Sequence, residues 1–124
     1  MGKRVVHVEF PAQDLERGKK FWEAVGGWDV NDSGMPGMQY LMWQEGDQGG
    51  GIYSMEGQSG TTMYLGSEDI DADLAKVREL GGEADEKQSI PNVGWFAACK
   101  DSEGNSFSLF QGDDNAPMPE SMQG

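Results

Sequence analysis

One imidazole and one carboxylate, His7 and Glu9, stand two residues apart near the start of a 124-residue chain that has no other histidine. Two residues of extended chain cover about 6–7 Å and turn both side chains to the same side, close enough to share an ion, a ligand or a proton. Such a pair can act as acid and base, hold a divalent ion in an open site completed by water, or hydrogen-bond a bound molecule. The structural alternative is a packed histidine with Glu9 as its buried partner. Cys99 is the only cysteine. It therefore offers neither an intrachain disulfide nor a cysteine-built zinc site, and it reads as a small buried hydrophobe in a strand.

These groups need a scaffold, and alternation says which face they occupy. In the first strand Val6, Val8 and Phe10 form an apolar side for a helix to cover, which leaves Val5, His7 and Glu9 opposite. A second segment, Thr62 to Gly66, puts Met63 and Leu65 inward and turns Thr62, Tyr64 and Gly66 away. In the last strand Phe107 and Leu109 point in, while Ser106, Ser108 and Phe110 face out; by the same count Ile52 is core and Tyr53 faces out. The expected lining of a concave face is therefore His7, Glu9, Tyr53, Thr62, Tyr64 and Ser108, a mixture of rings and polar groups suited to a small molecule. Tyr40, Trp43, Tyr64 and Trp95 read first as packing, with Tyr64 and Trp95 also ligand-binding candidates. Met35, Met38, Met42, Met55 and Met63 suit an adaptable pocket or gap-filling in the core.

Internal repetition organises the chain. His7–Gly27 aligns with Thr62–Gly82 without a gap at an offset of 55 residues: Asp14 falls on Asp69, Leu15 on Ile70, Trp22 on Val77, Val25 on Leu80, and Gly26-Gly27 on Gly81-Gly82. Each copy reads as a strand, an Asp-capped helix and a glycine stop. The apolar stripes are Leu15, Gly18, Trp22 and Val25 along one helix, and Ile70, Asp73 or Leu74, Val77 and Leu80 along the other. Period-two segments follow each helix: Trp28–Val30, Gln39–Gln44 and Gly51–Met55, then Ala84–Gln88, Gly94–Lys100 and Ser106–Gln111. Glu45–Gly50 and Asp101–Asn105 are among the turn-rich connections. The expected architecture is one α+β domain over residues 1–111, made of two βαβββ modules (about 5–56 and about 61–111). Their mixed sheet forms a cup with the helices on its convex side, and 112–124 is expected to be a flexible tail.

Acidic residues outnumber basic ones 22 to 9, for a net charge of −13. Nucleic acid and anionic membrane surfaces are thereby poor partners, because both require a positive patch. The sequence contains no apolar run of spanning length and no signal-type start, so a cytoplasmic protein is expected.

The opening VVHVEFPAQDLERGKKFWEAVGGW resembles the first strand and helix of a glyoxalase-like module. YLGSEDIDADLAKVRELGGE with VGWFAACKDSEGNSFSLFQ resembles the second, including the D-x-E-G-N turn before the last strand. The chain from Val5 to Gln111 is thus similar to the vicinal oxygen chelate superfamily of glyoxalases, bleomycin-resistance proteins and extradiol dioxygenases. The resemblance implies a homodimer and a small-molecule ligand. It also implies, in metal-dependent members, a divalent ion (Zn, Ni, Mn or Fe) held by His, Gln or Glu from the first and last strand of each module. By position those places are His7, Tyr53, Thr62 and Ser108, of which only His7 is a usual ligand, with Glu9 as a second donor. Two functions follow from the resemblance. One is a lyase or isomerase acting on vicinal oxygens with His7 and Glu9 as ligand and base; the other is a metal-independent binding protein that sequesters an antibiotic or other small molecule. A dimer with a vestigial cup is a third, structural reading.

Overall fold

The computed structural model describes residues 2–34, 39–54 and 60–118. In chain order the elements are β1 (Val5–Pro11), α1 (Leu15–Gly26), β2 (Asn31–Asp32), β3 (Tyr40–Glu45), β4 (Gln48–Tyr53), β5 (Thr62–Gly66), α2 (Ile70–Glu79), β6 (Glu83–Ala84), β7 (Gln88–Ile90), β8 (Gly94–Lys100) and β9 (Ser106–Gly112). The chain divides into two compact units, Val5–Met63 and the remainder from Tyr64, which includes the N-terminal residues through Arg4. The class is α+β, as expected.

In the first unit the strands lie in the order β2-β3-β4-β1. β1 runs parallel to β4, whereas β2/β3 and β3/β4 are antiparallel, so the sheet is mixed. The β3–β4 corner is only Gly46-Asp47, with Gly46 at φ 62°, a backbone region that glycine enters without steric cost. This corner aligns Tyr40 with Tyr53, Met42 with Gly51 and Trp43 with Gly50. Glu45–Gly50, expected as a connection, has four of its six residues in strands, because ring side chains of β3 fill the space that the glycines of β4 leave bare.

α1 starts where the Asp14 carboxylate accepts the Arg17 backbone N–H at 3.1 Å, and it stops at Gly27, at φ 75°. It packs on the Phe10 side of the sheet. Phe10 stacks on Trp22 at 4.4 Å between centroids, and Trp28 lies parallel to Trp43 at 3.8 Å. These rings surround Val30, Trp43 and Ile52, the buried core of the unit. Gly18 lets the helix approach: a Cβ there would stand 3.1 Å from that of Ala12 and 3.6 Å from Ile52 Cγ2. Val25, expected in the buried stripe, is 67% exposed, because the stripe turns off the sheet after Trp22.

The second unit orders its strands β5-β9-β8-β6, with β7 also on β8. Asp69 caps α2 through the Ala72 N–H at 3.1 Å, 55 residues after the equivalent Asp14 cap. Gly81, at φ 91°, closes α2 one position earlier in the repeat than Gly27 closes α1, and this leaves Leu80 71% exposed, outside the expected stripe. Ile70, Leu74, Ala97, Cys99 and Leu109 form the core, with Leu65, Val77 and Phe107 packed around it. The expected Ala84–Gln88 strand is instead split between β6 and β7, which pair with opposite ends of β8. The Asp101 carboxylate accepts N–H groups from Glu103 and Asn105, which shapes the turn into β9. Past Gly112 the chain is held for a further stretch: Asp113 N–H donates to Val93 O, Asn92 N–H donates to Ala116 O, and Ala116 is 4% exposed. At those residues backbone pairing replaces the looseness that polar composition suggested.

Candidate functional site

On the face of the first unit that points away from α1, the sheet register builds a small polar constellation. β1 contributes His7 and Glu9, β4 contributes Gly49, Gly51 and Tyr53, and β3 contributes Tyr40 and Met42. Tyr40 starts in the row of Tyr53 and Pro11, and its ring crosses the bare α-carbon of Gly51. Its hydroxyl donates to Glu9 Oε2 at 2.6 Å and lies 2.7 Å from His7 Nε2. A phenol carries a single hydrogen. Since that hydrogen goes to the carboxylate, the imidazole must supply the other one, and the chain runs His7 Nε2–H to Tyr40 O–H to Glu9. His7 is therefore the Nε2–H tautomer, held by a hydroxyl that a carboxylate orients.

Burial shifts two titrating groups on this face. Desolvation lowers the His7 pKa below its ordinary 6.5, which favours the neutral imidazole. It raises the Tyr53 hydroxyl above 10, and the Glu9 charge adds to the rise, so Tyr53 stays a hydrogen-bond donor at neutral pH. Tyr40 itself is only 7% exposed. A cavity of about 510 Å³ opens on the α1 side, against Leu15, Glu16, Asp32, Tyr40 and Leu41, and its lining includes none of His7, Glu9 and Tyr53. This is enough room for a small ligand.

With this geometry in place, comparison with known proteins decides the family. A family model of the glyoxalase-like domain matches residues 6–110. The chain belongs to the glyoxalase-like domain family. No curated protein matches the sequence. Solved structures share the fold at low identity. A hypothetical protein from Bacillus halodurans aligns at TM-score 0.70 and 12% identity, covering 94% of this chain and 99% of its own. A glyoxalase/bleomycin resistance protein/dioxygenase superfamily member from Vibrio splendidus aligns at TM-score 0.67 and 18% identity, covering 89% and 99%. Streptomyces coelicolor methylmalonyl-CoA epimerase, in complex with 2-nitronate-propionyl-CoA, aligns at TM-score 0.64 and 17% identity, covering 88% and 96%.

The donor set of this glyoxalase-like chain does not fit the family's divalent ion. The positions that carry over hold one imidazole and the hydroxyls of Tyr53, Thr62 and Ser108, and neutral hydroxyls are poor ligands for borderline divalent ions. The imidazole Nε2 is hydrogen-bonded to Tyr40, and Glu9 is joined to His7 through that hydroxyl. Among the described residues, no three His, Cys, Asp or Glu side chains group closely enough to hold an ion together.

The remaining expectations can be placed individually. His7 and Glu9 are brought together, and Tyr53 shares their face; half-buried Thr62 opens β5. Tyr64 and Ser108 belong to the second unit, where Ser108 is 3% exposed. Trp95, the remaining ligand-binding candidate, lies in β8 of the second unit. It packs against the core under α2, its indole N–H donates to Asp113 at 3.1 Å, and Lys87 sits over its ring at 4.7 Å. In the β8 register Trp95 alternates with Phe96 and so shares the core side with Ala97 and Cys99. Met42 lies on the His7 face, whereas Met35, Met38 and Met55 fall outside the described residues.

Tyr40 is the residue that sequence reasoning misses. Grouping it with Trp43 as packing overlooks that residues three apart in a strand face opposite ways. The available signal is Gly46-Asp47: taken as a two-residue corner, it pairs Tyr40 with Tyr53 and places the phenol beside Glu9.

Proposed function

We propose that this glyoxalase-like protein is a small-molecule enzyme of isomerase type, which moves a proton on a substrate with vicinal oxygens without the family's metal ion. The observation that carries the reading is the hydrogen-bonded chain from His7 through Tyr40 to Glu9. A carboxylate and an imidazole joined by one hydroxyl form an acid–base pair whose orientation is set in advance. Glu9 takes the proton from a carbon next to the substrate carbonyl. That C–H bond breaks, its electron pair moves into the carbonyl as an enolate, and the acid form of Glu9 returns a proton to the same carbon or its neighbour. Tyr53, kept protonated by burial and by the charge of Glu9, donates to the developing oxyanion. Tyr40 holds the carboxylate of Glu9 in line, and neutral His7 holds Tyr40. A homodimer in the cytoplasm is the setting this proposal adopts.

The test is deuterium exchange from D₂O into a panel of α-hydroxyketones, acyl esters and acyl thioesters, followed by proton NMR. Wild-type protein is expected to exchange an α-proton of at least one substrate, with Glu9→Gln slower by about 10²-fold or more, the usual contribution of a positioned acid or base. Exchange by Glu9→Gln at the wild-type rate defeats the proposal. Exchange in neither protein above buffer also defeats it.

A further inference from the structure

The face that carries His7 and Glu9 holds a further polar side chain laid over a glycine. Gln44 pairs with Gly49 across the β3–β4 ladder as Met42 pairs with Gly51, and Gly51 pairs with Glu9, so all of these positions share one side of the sheet. A Cβ on Gly49 would stand 2.5 Å from Gln44 Oε1 and 3.3 Å from its Cδ. The amide therefore occupies the space that the glycine leaves open, and Gly49 is buried beneath it.

Gln44 Nε2 donates to Gly46 O at 2.8 Å, inside the β3–β4 corner. That bond sets the direction of the amide, because only its NH₂ end can meet a carbonyl; Oε1 is left as the acceptor over Gly49. Gln44 is exposed, and among the described residues its Oε1 has no hydrogen-bond partner.

The register lines up three functions along β4. Gly49, with Gln44 over it, comes first; Gly51, in the row of Glu9, comes next; Tyr53 follows. Successive rows are about 6–7 Å apart. A molecule whose carbonyl oxygen bonds Tyr53 and whose α-carbon meets Glu9 has its next oxygen on the Gln44 side. An acceptor there favours O–H over an ether oxygen, whose lone pairs would face those of the amide.

We infer, on the basis of the proton-transfer reading, that Gln44 is the specificity-determining residue of this site, accepting from a free hydroxyl on the carbon next to the substrate carbonyl. The substrate class narrows to α-hydroxycarbonyl compounds. Glu9 takes the proton from the carbon that bears this hydroxyl, the C–H electron pair moves into the carbonyl as an enolate, and the proton returns from Glu9 to carbon. Gln44 takes no part in the transfer.

The experiment compares hydroxyacetone with methoxyacetone, in which a methyl group caps the hydroxyl. Exchange of the methylene hydrogens in D₂O is read by proton NMR as kcat/KM, each value divided by the buffer-catalysed rate of the same compound. Binding is read by saturation-transfer NMR. Wild type is expected to favour hydroxyacetone by about threefold to tenfold, the range of one hydrogen bond. Gln44→Leu should bring that ratio to about one. Gly49→Ala keeps Gln44 but puts a methyl where its Oε1 lies, at a residue with no positive φ to lose. It should erase the preference too, and it decides the matter if Gln44→Leu fails to fold. No preference in wild type overturns the inference. So do variants that slow both compounds equally and keep the preference, the signature of a side chain that only shapes the corner. Preferential binding of hydroxyacetone by wild type, lost in the variants, with exchange of neither compound leaves the role of Gln44 standing and overturns the proton-transfer reading. Binding of neither compound overturns both.

Discussion

Replacing Gly51 with alanine tests how the strand builds the site. A Cβ added at this position would stand 2.7 Å from Tyr40 Cε1 and closer still to Cζ and the hydroxyl oxygen, so the ring must leave its seat. Gly51 has no left-handed backbone to lose, and its strand pairings to Glu9 and Met42 can remain. What goes is the pair of hydrogen bonds at 2.6 and 2.7 Å from Tyr40 to Glu9 and His7. The bond to the carboxylate is worth about 1.5–3 kcal/mol and the bond to the imidazole about 0.5–1.5 kcal/mol, while alanine restores about 0.5–1 kcal/mol by restricting the unfolded chain. The expected net loss is about 1–4 kcal/mol, a fall in melting temperature of roughly 5–15 °C for a chain of this size. Thermal unfolding of wild type, Gly51→Ala, Tyr40→Ala and the double variant measures it. With the ring gone, the methyl has room, so Gly51→Ala should cost little in the Tyr40→Ala background. Equal stability of wild type and Gly51→Ala, or the same cost in both backgrounds, refutes the reasoning.

Three further outcomes follow from the same contacts. Because burial lowers the pKa of His7, the unfolded chain binds more protons between the folded-state pKa and 6.5; stability rises with pH through that window and levels off above it. Urea unfolding across pH 5 to 8 checks this, and a His7→Gln variant with the wild-type pH slope contradicts it. Tyr53 ionises above 10 through burial first and the charge of Glu9 second, so Glu9→Gln should bring its titration down part of the way. NMR of ζ-carbon-labelled tyrosine reads the shift, and no movement counts against Tyr53 facing Glu9. Trp95→Phe loses the indole bond to Asp113 and should lower the melting temperature while leaving proton exchange unchanged; a loss of exchange at unchanged stability would return Trp95 to the site.

Much of the scaffold was legible because its signals are local. Asp14 and Asp69 cap their helices at the predicted offset, the glycine pairs stop them, and alternation sorted Phe10, Ile52, Leu65, Phe107 and Leu109 onto the core side. Val25 and Leu80 failed because a stripe extrapolated to the last turn assumes that the sheet continues beneath it. β4 reads short in the sequence, because Gly49-Gly50-Gly51 has low strand propensity on its own. Its conformation makes sense only with Tyr40 lying over Gly51 on one face and Trp43 over Gly50 on the other, a fact of tertiary packing. The pairing of His7 with Glu9 was legible from spacing. The hydroxyl that joins them was not, since it arrives from a strand more than thirty residues away whose register depends on the Gly46-Asp47 corner.

The chemistry proposed for this site rests on Tyr40 donating to Glu9 and accepting from His7. The chain has one histidine, so nitrogen-15 NMR of the imidazole reads this site without assignment ambiguity. At pH above 7 wild-type His7 should be the tautomer protonated at Nε2, and Tyr40→Phe should abolish that preference. An Nδ1-protonated imidazole in wild type, or a spectrum unchanged by Tyr40→Phe, would contradict the hydrogen-bonded chain and the proton transfer built on it.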